Sequence, residues 1–308
     1  MSSFINLEIL KSFISTFLSI VVESLPFILI GSIVSAVIQL FIKEETLEKI
    51  LPKNKILSII LASFMGIFVP LCECAIVPIS RSLIKKGVPV GTATTFMLSV
   101  PIINPIVLLS TYYAFSNNLN IVFLRIFGGI FISIFIGLIL EVLTKNKSII
   151  KDDNNYLLPC DCGCENFYIK QGFFTNLRNL IDHTSKEFLD ISRYFIFGAL
   201  LASIVSVSMN SLNIDFKNIA PSFGIIIMMI LTFLLSLCSE ADAFVAKGFL
   251  SAFGSSGVIA FLILGPMLDL KNVILLLGTF KKKYVLSLII LTCSIVALFS
   301  YLVLFLGL

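Results

Sequence analysis

Two thiols and a carboxylate stand together at Cys72-Glu73-Cys74, inside the stretch VPLCECAIVPISRSLIKKGVPVGTATTFMLSVPIINP that runs from Val69 to Pro105. Thiolates are soft ligands for Cu(I), Zn(II) and other thiophilic species, and a C-x-C spacing brings both sulfurs within one helical turn. Much of the surrounding sequence is strongly apolar, where an ionisable group is costly and marks a functional position by default. A weaker copy recurs from Leu234 to Asp269 as LLSLCSEADAFVAKGFLSAFGSSGVIAFLILGPMLD, and carries Cys238, Glu240 and Asp242. Cys238 added to Cys72 and Cys74 would make a three-sulfur site suited to a trivalent metalloid. The plainer alternative is that a cysteine in an apolar segment packs as a small hydrophobe. That reading suits Cys293, which lies in an otherwise unremarked span, and it is a rival reading for Cys238.

The acidic groups carry a similar choice. Glu73, Glu240 and Asp242 either relay protons or hold a cation, or they form buried ion pairs with Arg81 and Lys247 that fix the turns. Glu23, near the middle of the first apolar segment, either carries protons or faces a polar seam. Asn104 and Asp269 follow proline breaks, where they either coordinate substrate at unwound helix ends or cap the next half-helix. A further thiol group, Cys160, Cys162 and Cys164 in PCDCGC, has a soft-metal spacing. It lacks a matched fourth ligand, and the single histidine, His183, is distant in sequence. The run reads as an accessory or regulatory metal site, or as an incidental loop feature.

Composition says what must position these groups. Of 308 residues, 58% are hydrophobic and only 13% charged, with a mean hydropathy of +1.06. That is too apolar for a soluble domain and predicts an all-α polytopic membrane protein. The net charge of +4 is informative through its placement in loops, not as a nucleic-acid signal. Seven cysteines in C-x-C spacings do not read as a disulfide framework. The N-terminal apolar stretch continues from Phe13 to Ile42, too long for a cleavable signal core.

About eight hydrophobic segments are expected. Four lie in each half: Phe13–Ile42, Ile56–Leu71, Pro89–Phe115 broken at Pro101 and Pro105, and Ile121–Leu143; then Ile191–Met209, Phe223–Leu237, Val258–Leu277 broken at Gly265-Pro266, and Tyr284–Leu306. The stretch from Ala75 into the Lys85-Lys86 pair follows the second of them. Residues 1–143 form a first membrane repeat, 144–188 a basic cytoplasmic loop holding PCDCGC, and 189–308 a second repeat. The halves align at an offset of about 165 residues, as in transporters with internal symmetry. Cys72 falls on Cys238, Arg81 on Lys247, Gly91 on Gly257, Pro101 on Pro266 and Asn104 on Asp269. If Ile56–Leu71 and Ala75–Lys86 enter and leave the membrane on one side, then Lys43–Lys55, Lys85-Lys86, the central loop and Lys281–Lys283 share the cytoplasmic face. The positive-inside rule favours that arrangement. It leaves an odd number of crossings per half, so the two repeats are expected to be inverted. Re-entrant backbone is tolerated only where it lines a cavity or is buried in protein.

The PLCECAIVPISRSLIKKGVPVGTATTFMLSVPIINP motif, together with GPMLD in the second half, resembles the bacterial predicted-permease family, which includes organoarsenical-exporting permeases and relatives described as copper or zinc efflux transporters. The resemblance covers essentially the whole chain outside the central loop. It implies a multi-pass permease of the bacterial cytoplasmic membrane, with a C-x-C followed by a proline that maps here onto Cys72, Cys74 and Pro78. Many efflux members read Cys-Ser-Cys-Gly where this chain has Cys-Glu-Cys-Ala, and the added negative charge leans toward a cationic substrate.

No Walker-type loop, His-Glu-x-x-His zinc helix or Gly-x-Ser-x-Gly elbow is present in the sequence, so an enzyme is not expected. Three functions stay open. One is efflux of a thiophilic metal or metalloid species ligated by Cys72 and Cys74, with Cys238, Glu73, Glu240 and Asp242 assisting. Another is permeation of a small anionic or thiol-containing solute, with structural cysteines. The last is a membrane subunit that recruits a partner membrane protein and has no independent transport. No cofactor is expected beyond a bound soft metal ion as cargo, and no nucleic acid. The bilayer is the one partner common to all three.

Overall fold

The computed structural model describes residues 2–41, 52, 54–68, 71–115, 118–144, 149–151, 173–211 and 221–307. Cys160, Cys162 and Cys164 lie outside them. The described residues are almost wholly helical. Their one β feature is an antiparallel bridge between Ile150 and Phe280.

The first half comprises α1 (Ser2–Phe41), α2 (Lys55–Phe64, continued by a 3₁₀ turn at Met65–Ile67), α3 (Glu73–Lys85), α4 (Val90–Ile103), α5 (Pro105–Ala114) and α6 (Leu119–Leu143). The second half follows with α7 (Phe173–Ser211), α8 (Pro221–Leu235), α9 (Asp242–Gly248), α10 (Leu250–Met267), α11 (Leu270–Thr279) and α12 (Lys282–Leu306). Four stretches are long and apolar enough to cross a bilayer: Leu10–Leu40, Leu119–Leu143, Leu250–Thr279 and Lys282–Leu306. The pair α4–α5, bent by 41°, makes a fifth candidate. The bend falls at Asn104, where Pro105 cannot continue the ladder and disfavours helical backbone in the residue before it. Apolar side chains cover the outside, as at Phe123, Phe127 and Phe131, because lipid is the solvent there.

α4 and α10 form the core. Every residue from Gly91 to Ile103 and from Ser256 to Met267 is buried. Each has a shorter apolar helix running parallel beside it. Ser58 meets Thr92, and Ser99 approaches the Ala62 carbonyl. In the second half Thr232 donates to the Phe261 carbonyl and also lies against Gly265. Glycines permit the close approaches: a side chain on Gly31 would strike the Ala75 backbone at 2.7 Å, and one on Gly66 the Val100 backbone at 2.8 Å.

The basic ends cluster. Lys55 at the start of α2 pairs with Glu141 at 2.6 Å, and the other Glu141 oxygen accepts from the Gly91 amide at 2.9 Å. The excursion from Lys55 through α3 therefore leaves and returns at one end of the molecule. Lys281 joins that end, since its amide donates to the Ile149 carbonyl just beyond α6. The two arms of the excursion do not pack on each other. α2 lies on α4 and α6, while α3 lies on α1, α4 and α11. At the far end of α12, Tyr301 donates to the Ser222 carbonyl, so α8 starts at the end opposite to α2.

Candidate functional site

The tips of the two excursions meet. Cys72 is the N-cap of α3 in extended backbone and makes no side-chain cap hydrogen bond, and Glu73 and Cys74 form the first turn. Opposite them, residues 236–241 turn between α8 and α9, with Ser236 in the left-handed region at φ 48°. Ser239 from this turn donates to Glu73 Oε2 at 3.4 Å, joining residues 166 positions apart in the chain. Cys72, Glu73, Cys74, Ser239 and Asp242 are all buried, and Cys238 is partly so.

The charge at this junction comes from an element the sequence reading did not single out. Lys271, in the first turn of α11, is buried with its ammonium 3.9 Å from Glu73 and 3.5 Å from Asp269. Asp269 caps α11 by accepting from the Asn272 amide at 2.6 Å with its other oxygen. Two buried carboxylates thus share one ammonium beside the thiol pair, in a setting where each charge depends on its partner because water is excluded. Asn272 Oδ1 is buried without a hydrogen-bond partner among the described residues. Such an orphaned acceptor is costly unless something else engages it.

Asp242 is held differently. Arg125, fully buried in α6, grips it with two parallel bonds of 2.9 and 2.6 Å. The same guanidinium donates to Thr111 of α5 at 2.8 Å. Bidentate pairing of this kind fixes geometry as well as charge. The expectation of partners at Arg81 and Lys247 is therefore corrected: Lys247 is exposed on α9, Arg81 acts on Glu187, and the central acids are served by Arg125 and Lys271. Both were legible as cations embedded in apolar sequence, but neither is a sequence neighbour of the acid it meets across the fold.

The remaining candidates separate. Asn104 is buried and caps α5, accepting from the Ile106 amide at 3.0 Å, as Asp269 caps α11. Glu240 is partly exposed on the turn, and Glu23 of α1 lies close enough to it and to Cys238 to act on both electrostatically. Glu23 is itself exposed in the middle of the Leu10–Leu40 span. Among the described residues no group of three His, Cys, Asp or Glu side chains is arranged to hold a metal ion, so the three-sulfur set of Cys72, Cys74 and Cys238 is not assembled in this conformation.

A second polar knot ties α1, α3 and α7 at the basic end. Ser35 donates to Glu187 at 2.7 Å and lies 2.6 Å from Ser82. Gln39 donates to Ser82 at 2.6 Å and reaches the second Glu187 oxygen at 3.4 Å. Burial holds the Glu187 carboxyl above the usual carboxylate range, against the opposing pull of the Ser35 hydrogen bond and of Arg81 and Lys85.

A family model described as predicted permease matches residues 9–305. The chain is 40% identical over 291 residues to the UPF0718 protein YcgR of Bacillus subtilis, spanning 94% of this chain and 93% of that protein. It is also 40% identical over 274 residues to a Streptococcus mutans protein named "Putative two-component membrane permease complex subunit", spanning 89% of each. No solved structure matches.

Proposed function

This chain belongs to the predicted-permease family, and from that premise we propose that it moves a thiophilic, cationic metal or metalloid species across the bacterial cytoplasmic membrane, in the direction of efflux, through the junction of its two turns. The observation that carries the reading is the Glu73–Lys271–Asp269 group beside Cys72 and Cys74. Two sulfurs offer soft coordination, and the surplus carboxylate favours a positive charge. Lys271 serves as an internal counter-ion when cargo is absent. Arriving cargo takes over Glu73, and the ammonium falls back on Asp269. Cys238 and Ser239 approach from the second turn, and the unpartnered Asn272 Oδ1 is the spare hard acceptor. Glu23 and Glu240 are the entry side, since an exposed carboxylate at mid-span is tolerable where it lines water.

The parallel pairs α2–α4 and α8–α10, starting at opposite ends, support two inverted repeats of the kind that rock about a fixed central site. Residues 1–143 and 189–308 are these repeats, and 144–188 is the segment between them, whose last part is the start of α7, with Cys160, Cys162 and Cys164 as an accessory capture site. Arg125–Asp242 and the Glu187 knot lie toward opposite ends of the junction, where an alternating pathway needs closures.

The test is accumulation of copper, silver, zinc and arsenical species in cells expressing the wild-type chain or the Cys72→Ser/Cys74→Ser variant. The reading expects one species to fall with wild type and not with the variant. Equal accumulation of every species in both would overturn it.

A second reading is favoured by the relative named as a complex subunit: the chain works as one part of a two-component permease. Stoichiometric co-purification of a second membrane protein, with no flux from the isolated chain, would establish it.

A further inference from the structure

The basic end contains a cavity separate from the central junction. Where the end of α6 meets the start of α12, a cavity of about 590 Å³ is lined by Leu140, Leu143, Thr144, Ile149 and Lys281 through Tyr284. That volume falls within the roughly 300–1,000 Å³ of small-ligand sites. Its walls are apolar and its rim is three consecutive lysines. The side chains of Lys282 and Lys283 are exposed and make no ion pair with another described residue. The nearest carboxylate of α6, Glu141, is already engaged by Lys55 and the Gly91 amide. Lys281 is the N-cap of α12, and its carbonyl takes the Tyr284 and Val285 amides. The amides of Lys282 and Lys283 are left at the positive end of a 25-residue helix. Below the rim, exposed Val142, Leu143, Leu286 and Ile290 continue the apolar walls down the outside of the protein.

We propose that this cavity binds the phosphate headgroup of an anionic phospholipid, with its acyl chains lying along α6 and α12. Ammonium groups and helix-end amides at the rim match a phosphodiester, and apolar walls running into the lipid-facing surface match chains, which a free phosphate lacks. Basic pockets between helices on the positive side of a membrane protein are suited to such headgroups. The bound lipid would tie α6, which holds Arg125, to α12, and so brace the frame around the junction.

The experiment is native mass spectrometry of the purified full chain titrated with phosphatidylglycerol, phosphatidylcholine, or inorganic phosphate with glycerol phosphate. Wild type, Lys282→Gln/Lys283→Gln and Lys86→Gln/Lys186→Gln are compared, and thermal melting confirms that each variant is folded. Wild type is expected to retain phosphatidylglycerol over phosphatidylcholine, the cavity variant to bind it on the order of tenfold more weakly, and the second variant to match wild type. Equal weakening in both variants would mean diffuse surface attraction and overturn the site. Equal retention of both lipids would overturn the anionic class. Displacement of the lipid by free phosphate at equal concentration would overturn the lipid source.

Discussion

Replacing Arg125 by Met is the sharpest test of how the second turn is held. Arg125 and Asp242 expose 0% and 2% of their side chains and share two bonds of 2.9 and 2.6 Å. Removing the guanidinium strips Asp242 of both bonds and leaves Thr111 without its donor. A buried pair broken from one side costs about 3–5 kcal/mol, because the remaining charge keeps its desolvation penalty and loses its partner. Methionine fills most of the volume, so a packing loss adds little. The second replacement, Asp242→Asn in the Arg125→Met background, removes the orphaned charge. It is expected to recover a large part of the loss, with a coupling energy of a few kcal/mol. Reversible unfolding in mixed micelles measures all four corners of this cycle. A single-variant cost under about 1 kcal/mol, or a double variant no more stable than Arg125→Met alone, would refute a buried charge pair as the tie.

Other outcomes follow from the same geometry. Lys271→Met leaves Glu73 and Asp269 facing each other without their shared cation; it is expected to abolish transport and to destabilise the fold by a few kcal/mol, with Glu73→Gln in the same chain restoring stability but not transport, as read by melting and flux together. Glu187 has a folded-state pKa raised by burial, so its favourable contribution is complete below the unfolded value of about 4.3 and is lost as pH rises through the folded value. Glu187→Gln should therefore gain stability relative to wild type across that rise, and parallel melting–pH curves for the two proteins would contradict this. Gly31→Ala puts a methyl 2.7 Å from the Ala75 carbonyl oxygen and 2.8 Å from its Cα, backbone atoms that cannot step aside; a cost of about 1–3 kcal/mol is expected in the same unfolding assay.

Much of this architecture was legible in the sequence because each feature had a local cause. Proline after Asn104 breaks α4 from α5, and Gly265-Pro266 followed by Asp269 does the same between α10 and α11. Asn104 and Asp269 took up the capping role that was one of their two readings. The placement of basic residues alone puts Lys55, Lys85-Lys86 and Lys281 at one end. The partners of the acids were not legible. Arg81 and Lys247 were the nearer cations in sequence, yet Arg125 lies 117 positions from Asp242 and reaches it only because α6 crosses behind the second turn. Lys271 follows Asp269 by two residues, and it reaches Glu73 only because α11 packs on α3; its apolar surroundings imply a partner without naming which one. The pairing of Ser35 and Gln39 with Glu187 was similarly hidden, since hydroxyl and amide partners leave no charge pattern to read.

Transport through the junction is measured most directly as flux through the purified chain in sealed proteoliposomes. Cargo identified in cells, offered to wild type and to Glu73→Gln, is expected to cross with wild type and not with the variant, while both remain folded. Undiminished flux in Glu73→Gln, or flux by wild type only after a second membrane protein is added, would contradict it.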